Sequence, residues 1–233
     1  MSLCKNLSLL KILLTCLVLG AYSGGSAVQT LALENAKSVK KLRITPDENR
    51  EKLSKIGEFS NLEELEIHCL EKLDRIPDGI GKLKKLKILS MDEGNGCVMN
   101  PQLPESIGNL TQLKELNLYG AQDISGEFEQ PRGRKLLPQS LSKLKKLEKL
   151  NLGRNGYRTI PKVVFSISSI KELNLAFNDL ADLPKDLLKL PHLSKIILGN
   201  NYKITCSALK QAELTKRFKN IHLDFKNEYP CPE

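Results

Sequence analysis

Tryptophan is absent from this 233-residue chain, and aromatic side chains make up only 5% of it. A core so poor in rings has to be filled by aliphatics. Leucine-heavy filling suits regular repeated layers better than an irregular globular interior. There are three histidines, His68, His192 and His222. None has a serine or cysteine nucleophile pattern beside it, and no glycine-rich phosphate loop occurs. The chain therefore reads as a non-enzyme without a cofactor. The cysteines lack the close paired spacing of a zinc site. Glu66, His68 and Asp92 fall on neighbouring predicted strands, but a single histidine among surface acids does not make a metal site, so none is expected. Beyond residue 27 no apolar run reaches the about 20 residues that a membrane-spanning helix needs.

What is present at the start reads as an export signal. Residues 1–11 hold Lys5, Lys11 and no acid; residues 12–22 are uncharged and largely apolar; residues 23–27 are small. This order is the secretory pattern, with cleavage after Ala27. The alternative is a lipoprotein signal acylated at Cys16, because Leu13-Leu14-Thr15-Cys16 loosely resembles a lipobox. The first reading gives a secreted or surface protein, the second a periplasmic or outer-membrane lipoprotein. Losing Lys5 and Lys11 lowers the formal charge from +9 to +7. Much of that charge sits in Gly81-Lys-Leu-Lys-Lys-Leu-Lys87 and Ser142-Lys-Leu-Lys-Lys-Leu147. These lysines alternate with leucines and have no interleaved aromatics. They read as solvated outer faces and not as nucleic-acid contacts.

Cleavage after Ala27 leaves four cysteines, Cys69, Cys97, Cys206 and Cys231. An even number in an exported chain suggests disulfides with three connectivities. The favoured pairs are Cys69–Cys97 and Cys206–Cys231, each within adjacent repeat units; four free thiols are the alternative.

The repeat is the strongest signal. Leu62-Glu-Glu-Leu65-Glu-Ile67, Leu113-Lys-Glu-Leu116-Asn-Leu118, Leu147-Glu-Lys-Leu150-Asn-Leu152 and Ile170-Lys-Glu-Leu173-Asn-Leu175 align as L-x-x-L-x-L. Their middle positions extend to Leu42, Leu89, Ile196 and, in a degenerate last copy, Ile221. One and the same step separates Leu42 from Leu65, Leu150 from Leu173 and Leu173 from Ile196. Two insertions, at 92–102 and 121–135, lengthen the steps between. Each copy has a second half, as in Ile76-Pro77, Leu103-Pro104, Leu137-Pro138, Ile160-Pro161 and Leu183-Pro184. Apolar residues follow three and six positions beyond each proline, which suits a short 3₁₀ turn with proline at its first position.

These motifs resemble the 23-residue class of leucine-rich-repeat proteins, a family that includes small secreted spirochaete-type members. The resemblance covers about residues 39–225. It implies an α/β fold: a right-handed solenoid, parallel sheet on the concave face, short helices or 3₁₀ turns on the convex face. It places a cap and first degenerate repeat at 28–61, repeats at 62–205 and a C-terminal cap at 206–233. Ala208, Leu209, Ala212 and Phe218 suggest a helix in that last cap. The asparagine after each strand should bond the backbone of neighbouring coils; Asn155, Asn178 and Asn201 fit, whereas Leu70, Gly94 and Ala121 stand there in earlier units.

The family's recognition surface is the outward face of the strands. Here that implies Glu66, His68, Asp92, Asn117, Tyr119, Asn151 and Asn174. Arg154 and Phe177 lie just past their strands, and Phe128 lies in the second insertion. Tyr119, Arg154 and Phe177 are residue types that anchor interfaces, and the alternative for Phe177 is a turn-filling core role. The expected partner is a protein, a host surface protein if the source is a pathogen. The alternatives are an envelope scaffold or a binder of glycan or anionic polymer.

Overall fold

Alternation of leucine with polar residues over three to five positions makes a short strand with one inward face. The computed structural model describes residues 36–45, 50–68, 70, 73–92, 101–121 and 137–232. Among the described residues there are eight such strands: β1 (Lys41–Ile44), β2 (Glu64–His68), β3 (Ile88–Asp92), β4 (Glu115–Asn117), β5 (Lys149–Asn151), β6 (Glu172–Asn174), β7 (Lys195–Ile197) and β8 (His222–Asp224). They form one parallel sheet in strict chain order, β1 to β8. Lys37–Glu233 form one unit.

The inward leucines fall in register, Leu42 with Leu65, Leu65 with Leu89, Leu89 with Leu116, and so on to Leu173 with Ile196. The last copy differs from expectation. Ile196 pairs with Leu223, not with Ile221. The Ile221 amide is held in the turn after the preceding helix, donating to the Phe218 carbonyl at 2.8 Å. That turn takes up more of the chain before the strand can begin.

From β2 to β7 each unit returns through a short 3₁₀ turn, whereas the step to β8 is α-helical. Five of these follow the Ile/Leu-Pro pairs: Asp78–Lys82, Glu105–Asn109, Gln139–Lys143, Lys162–Ser166 and Lys185–Lys189. The prolines stand one position earlier than expected, just outside the turn. There they need no amide, and their carbonyls accept the first turn bond, as from Ile80 to Pro77 at 3.1 Å. The apolar residues three and six positions on, including Ile107, Leu110, Leu141 and Leu144, are buried. Each fully buried leucine contributes about 1.5–3 kcal/mol. No unit can bury its own set alone, so stacking is the source of stability.

Both ends are covered. Leu53, Ile56 and Phe59 are buried beside the first strands. At the other end, the helix Ala208–Arg217 buries Leu214, and Phe218 follows it into the core. The helix expected there is present, but Leu209 is 87% exposed, and Ala208 and Ala212 also face solvent. The Ser207 hydroxyl caps the helix by accepting from the Lys210 amide at 3.2 Å, which fixes its rotation. Lys210 and Arg217 then face Asp182.

The cystine Cys206–Cys231 spans 5.7 Å between Cα atoms. Cys69, Cys97, Phe128, the expected export signal at residues 1–27 and most of both insertions lie outside the described residues.

Candidate functional site

Outward positions of successive strands stack into rows across the sheet. The central row runs Arg43, Glu66, Ser90, Asn117, Asn151, Asn174, Ile197 and Asp224. Its asparagines are already half committed. The side-chain oxygen of Asn117 accepts from the Tyr119 amide at 3.1 Å, that of Asn151 from Gly153 at 2.9 Å, and that of Asn174 from Ala176 at 2.9 Å. These bonds shape the exit of each strand. What remains for recognition is the carboxamide NH₂, and Asn117 uses its own toward Ser90 at 3.0 Å.

Behind the strands lies a second asparagine row. The buried Asn155 donates to the carbonyls of Leu118 and Gly153 at 2.9 and 3.0 Å. Asn178 donates to Leu152 and Leu175 and accepts from the amides of Asn155 and Tyr157. Asn201 donates to Leu175 and Leu198 and accepts from Leu180. Each thus ties its own coil to a neighbouring one and pairs backbone groups that water cannot reach. In the earlier units Leu70 and Ala121 are buried at this place instead.

At the N-terminal end the face is ionic. Glu66 accepts from Arg43 at 2.8 Å and lies 3.3 Å from the His68 ring nitrogen. The Arg43 hydrogen bond holds the Glu66 carboxyl below its ordinary range. Of Asp92 only the backbone is described, opposite His68.

At the C-terminal end of the strands the surface is aromatic. Tyr119 meets Phe177 edge to face at 6.2 Å, and Phe177 meets Tyr229 at 6.2 Å in the same manner. The three rings come from β4's unit, β6's unit and the C-terminal tail, so Tyr119 reaches across the intervening unit. The residue it crosses is Gly153, where an added Cβ would stand 2.9 Å from the ring. Ala176 and Gly199 occupy the same place in the next two units and keep this border low. Phe177 and Arg154 both adopt left-handed backbone, φ 56° and 54°, at a place where β4's unit has Gly120. Non-glycine residues rarely sit there. Tyr229 is not among the sequence-derived candidates. The signal available was its position two before Cys231.

The opposite border, where the strands begin, is basic. A cleft of about 380 Å³ is lined there by Lys114, Lys145, Lys146, Lys171, Glu148 and His192, with Ser168 and Ser169. The sequence alone places Lys145 and Lys146 on a solvated face. Among the described residues no group of three or more metal-ligating side chains converges, and no helix is long and apolar enough to cross a membrane.

A parallel sheet in chain order, 3₁₀ returns and a buried asparagine row together decide the architecture. The fold is a leucine-rich-repeat solenoid. No family model matches the chain. Similar solved structures include a leucine-rich-repeat protein of Leptospira interrogans, 22% identical with TM-score 0.45 over 86% of this chain and 58% of that one. An internalin from Listeria monocytogenes is 16% identical with TM-score 0.46, over 84% of this chain and 56% of its own. The leucine-rich-repeat ectodomain of the Arabidopsis thaliana receptor kinase GASSHO1/SCHENGEN3 is 22% identical with TM-score 0.46, over 75% of this chain and 19% of its own. The chain thus spans less than two thirds of the length of each.

Proposed function

We propose that this is an exported leucine-rich-repeat protein that binds a protein partner through the strand face and its aromatic border, without catalysing a reaction. The observation that carries the reading is the Tyr119–Phe177–Tyr229 row on its floor of Gly153, Ala176 and Gly199. Large rigid rings over a low border, flanked by the exposed Arg154, have the composition of interface hot spots. The left-handed backbone at Arg154 and Phe177 favours the same view. Holding side chains there costs of order 1 kcal/mol each, a cost met at functional sites. The spare NH₂ groups of Asn151 and Asn174 would supply polar contacts beside the rings. Export is supported by the leader-like segment that ends at Ala27 and by the exposed Cys206–Cys231 bond, which persists in oxidising compartments.

The test uses a partner captured from extracellular material by the wild-type chain, purified and titrated by surface plasmon resonance. Tyr119→Ala with Phe177→Ala should weaken binding by roughly 30-fold or more, as hot-spot residues do. Lys162→Ala, on the 3₁₀ side, should leave it unchanged. Equal affinity of the double variant and the wild type would sink the assignment of this border.

A further inference from the structure

The fold shows how it treats a lysine when only stability is at stake. On the strands, Lys41 faces Glu64 at 2.7 Å, Lys195 faces Glu172 at 3.5 Å and Lys149 faces Glu115 at 3.8 Å. At the border where the strands begin, Lys40 and Lys87 still pair with Glu63, but the lysines of the preceding turns are treated differently. Lys145 donates to the Ser142 carbonyl, Lys146 to the Gln112 side-chain oxygen, Lys84 to the Asn109 carbonyl and Lys85 to the Asn61 side chain. All four partners are neutral, so the charges stand uncompensated. Among the described residues of the cleft the one carboxylate is Glu148, which faces Lys171 at 3.0 Å and also feels the charge of Lys114. Four lysines thus face one acid there, with His192 at the rim.

The pair of residues at the turn before each strand varies from unit to unit. Units three and five carry Lys84-Lys85 and Lys145-Lys146 at the turn before the strand; unit six carries Ser168-Ser169. The Ser169 hydroxyl folds inward, donating to the carbonyls of Leu144 and Leu147 at 3.0 and 2.8 Å. These two small residues, between Lys145-Lys146 of unit five and Pro191-His192 of unit seven, leave an open hollow.

We propose that this cleft binds a sulfated polysaccharide lying across the repeat units. Lys114, Lys146 and Lys171 come from three consecutive units, and parallel strands are about 4.8 Å apart. A linear polymer laid along the array would therefore meet a cation at each unit. Lysine suits it: a point charge on a flexible stem matches irregularly spaced anions, whereas fixed phosphate geometry favours the arginine fork. Among the described residues no arginine, tyrosine or phenylalanine lines the cleft, and the one ring there on which a base could stack is His192 at the rim.

The probe is a heparin dodecasaccharide, titrated calorimetrically into the full chain, with neutral dextran and a single-stranded oligonucleotide of equal charge as comparators. Heparin should bind, dextran should not, and affinity should fall steeply with salt as counterions are released. Lys114→Glu with Lys146→Glu should weaken heparin binding by roughly tenfold or more, while Lys162→Glu with Lys185→Glu, an equal charge change on the 3₁₀ side, should alter it by less than about twofold. Thermal melts establish that both variants fold. Tyr119→Ala with Phe177→Ala should keep full heparin affinity, so this inference and the protein-binding reading fail separately. The proposal is overturned if heparin does not bind, if the two charge-reversal variants lose affinity equally, or if the oligonucleotide binds more tightly.

Discussion

Asn178 shows how much one side chain does in this array. It is buried and serves the amides of Asn155 and Tyr157 and the carbonyls of Leu152 and Leu175. Asn178→Ala strips two buried amides of their acceptor. Each such loss costs about 1–3 kcal/mol, so urea unfolding should show about 2–6 kcal/mol of destabilisation with little change in slope. Gly153 is the opposite case, a residue whose importance is the space it leaves. A Cβ at this position would stand 2.9 Å from Tyr119 and 3.1 Å from the Asn151 side-chain oxygen. Gly153→Ala should cost under about 1 kcal/mol, yet push the tyrosine ring away from Phe177. Proton NMR checks it: the ring-current shifts linking the two residues should disappear while the melting curve barely moves.

Among the elements, the C-terminal tail is the one most dependent on a few fastenings. Asn200 donates its amide to the Asn227 side chain at 2.7 Å and accepts from the amides of Glu228 and Tyr229. The Lys226 carbonyl presses where a Gly199 side chain would be, and the cystine closes a span of 25 residues. Cys206→Ser with Cys231→Ser should lower stability by about 3 kcal/mol on the chain-entropy model. It should also free Tyr229 from Phe177 and expose Lys226 to trypsin. If reduction leaves the rate of cleavage after Lys226 unchanged, the tail is held by its hydrogen bonds alone. The strands and 3₁₀ returns were legible in the sequence because both follow from local spacing: two for the strands, three for the turns. β8 was misplaced by two positions because a helix intervenes and consumes chain before the strand. Tyr229 was illegible for a related reason. Its neighbour Phe177 is remote in the chain, in an earlier repeat unit, and only the folded tail brings them together. The basic cleft was hidden because Lys-Lys-Leu reads alike whether its neighbours are acidic or neutral.

For the whole molecule, the strand surface is a lattice of ion pairs whose effect on stability has a defined pH sign. The Lys87 hydrogen bond holds Glu63 below its ordinary 4.5, Arg43 does the same for Glu66, and Lys171 for Glu148. A folded-state value lower than the unfolded one means that the unfolded chain binds more protons in acid. The contribution is therefore fully present above 4.5 and is lost as pH falls through the lower folded values. Urea denaturation should give a constant midpoint from neutrality down to about pH 5 and a declining one below it. Added salt should flatten the decline, because these pairs are exposed and screened. A midpoint that falls equally steeply in high salt would place the acid sensitivity elsewhere.

Repeat arrays ordinarily lengthen and shorten by whole units, since each copy needs only a like neighbour on either side. The reach of Tyr119 over Gly153 to Phe177 removes that freedom from the C-terminal half. Excising the whole unit between them would still leave a well-stacked solenoid, but it would set Tyr119 directly beside the coil that carries Phe177 and destroy the spacing of the rings. Copy number here is part of the proposed binding surface, and variants that gain or lose a unit while keeping their ligand should do so on the N-terminal side of Tyr119.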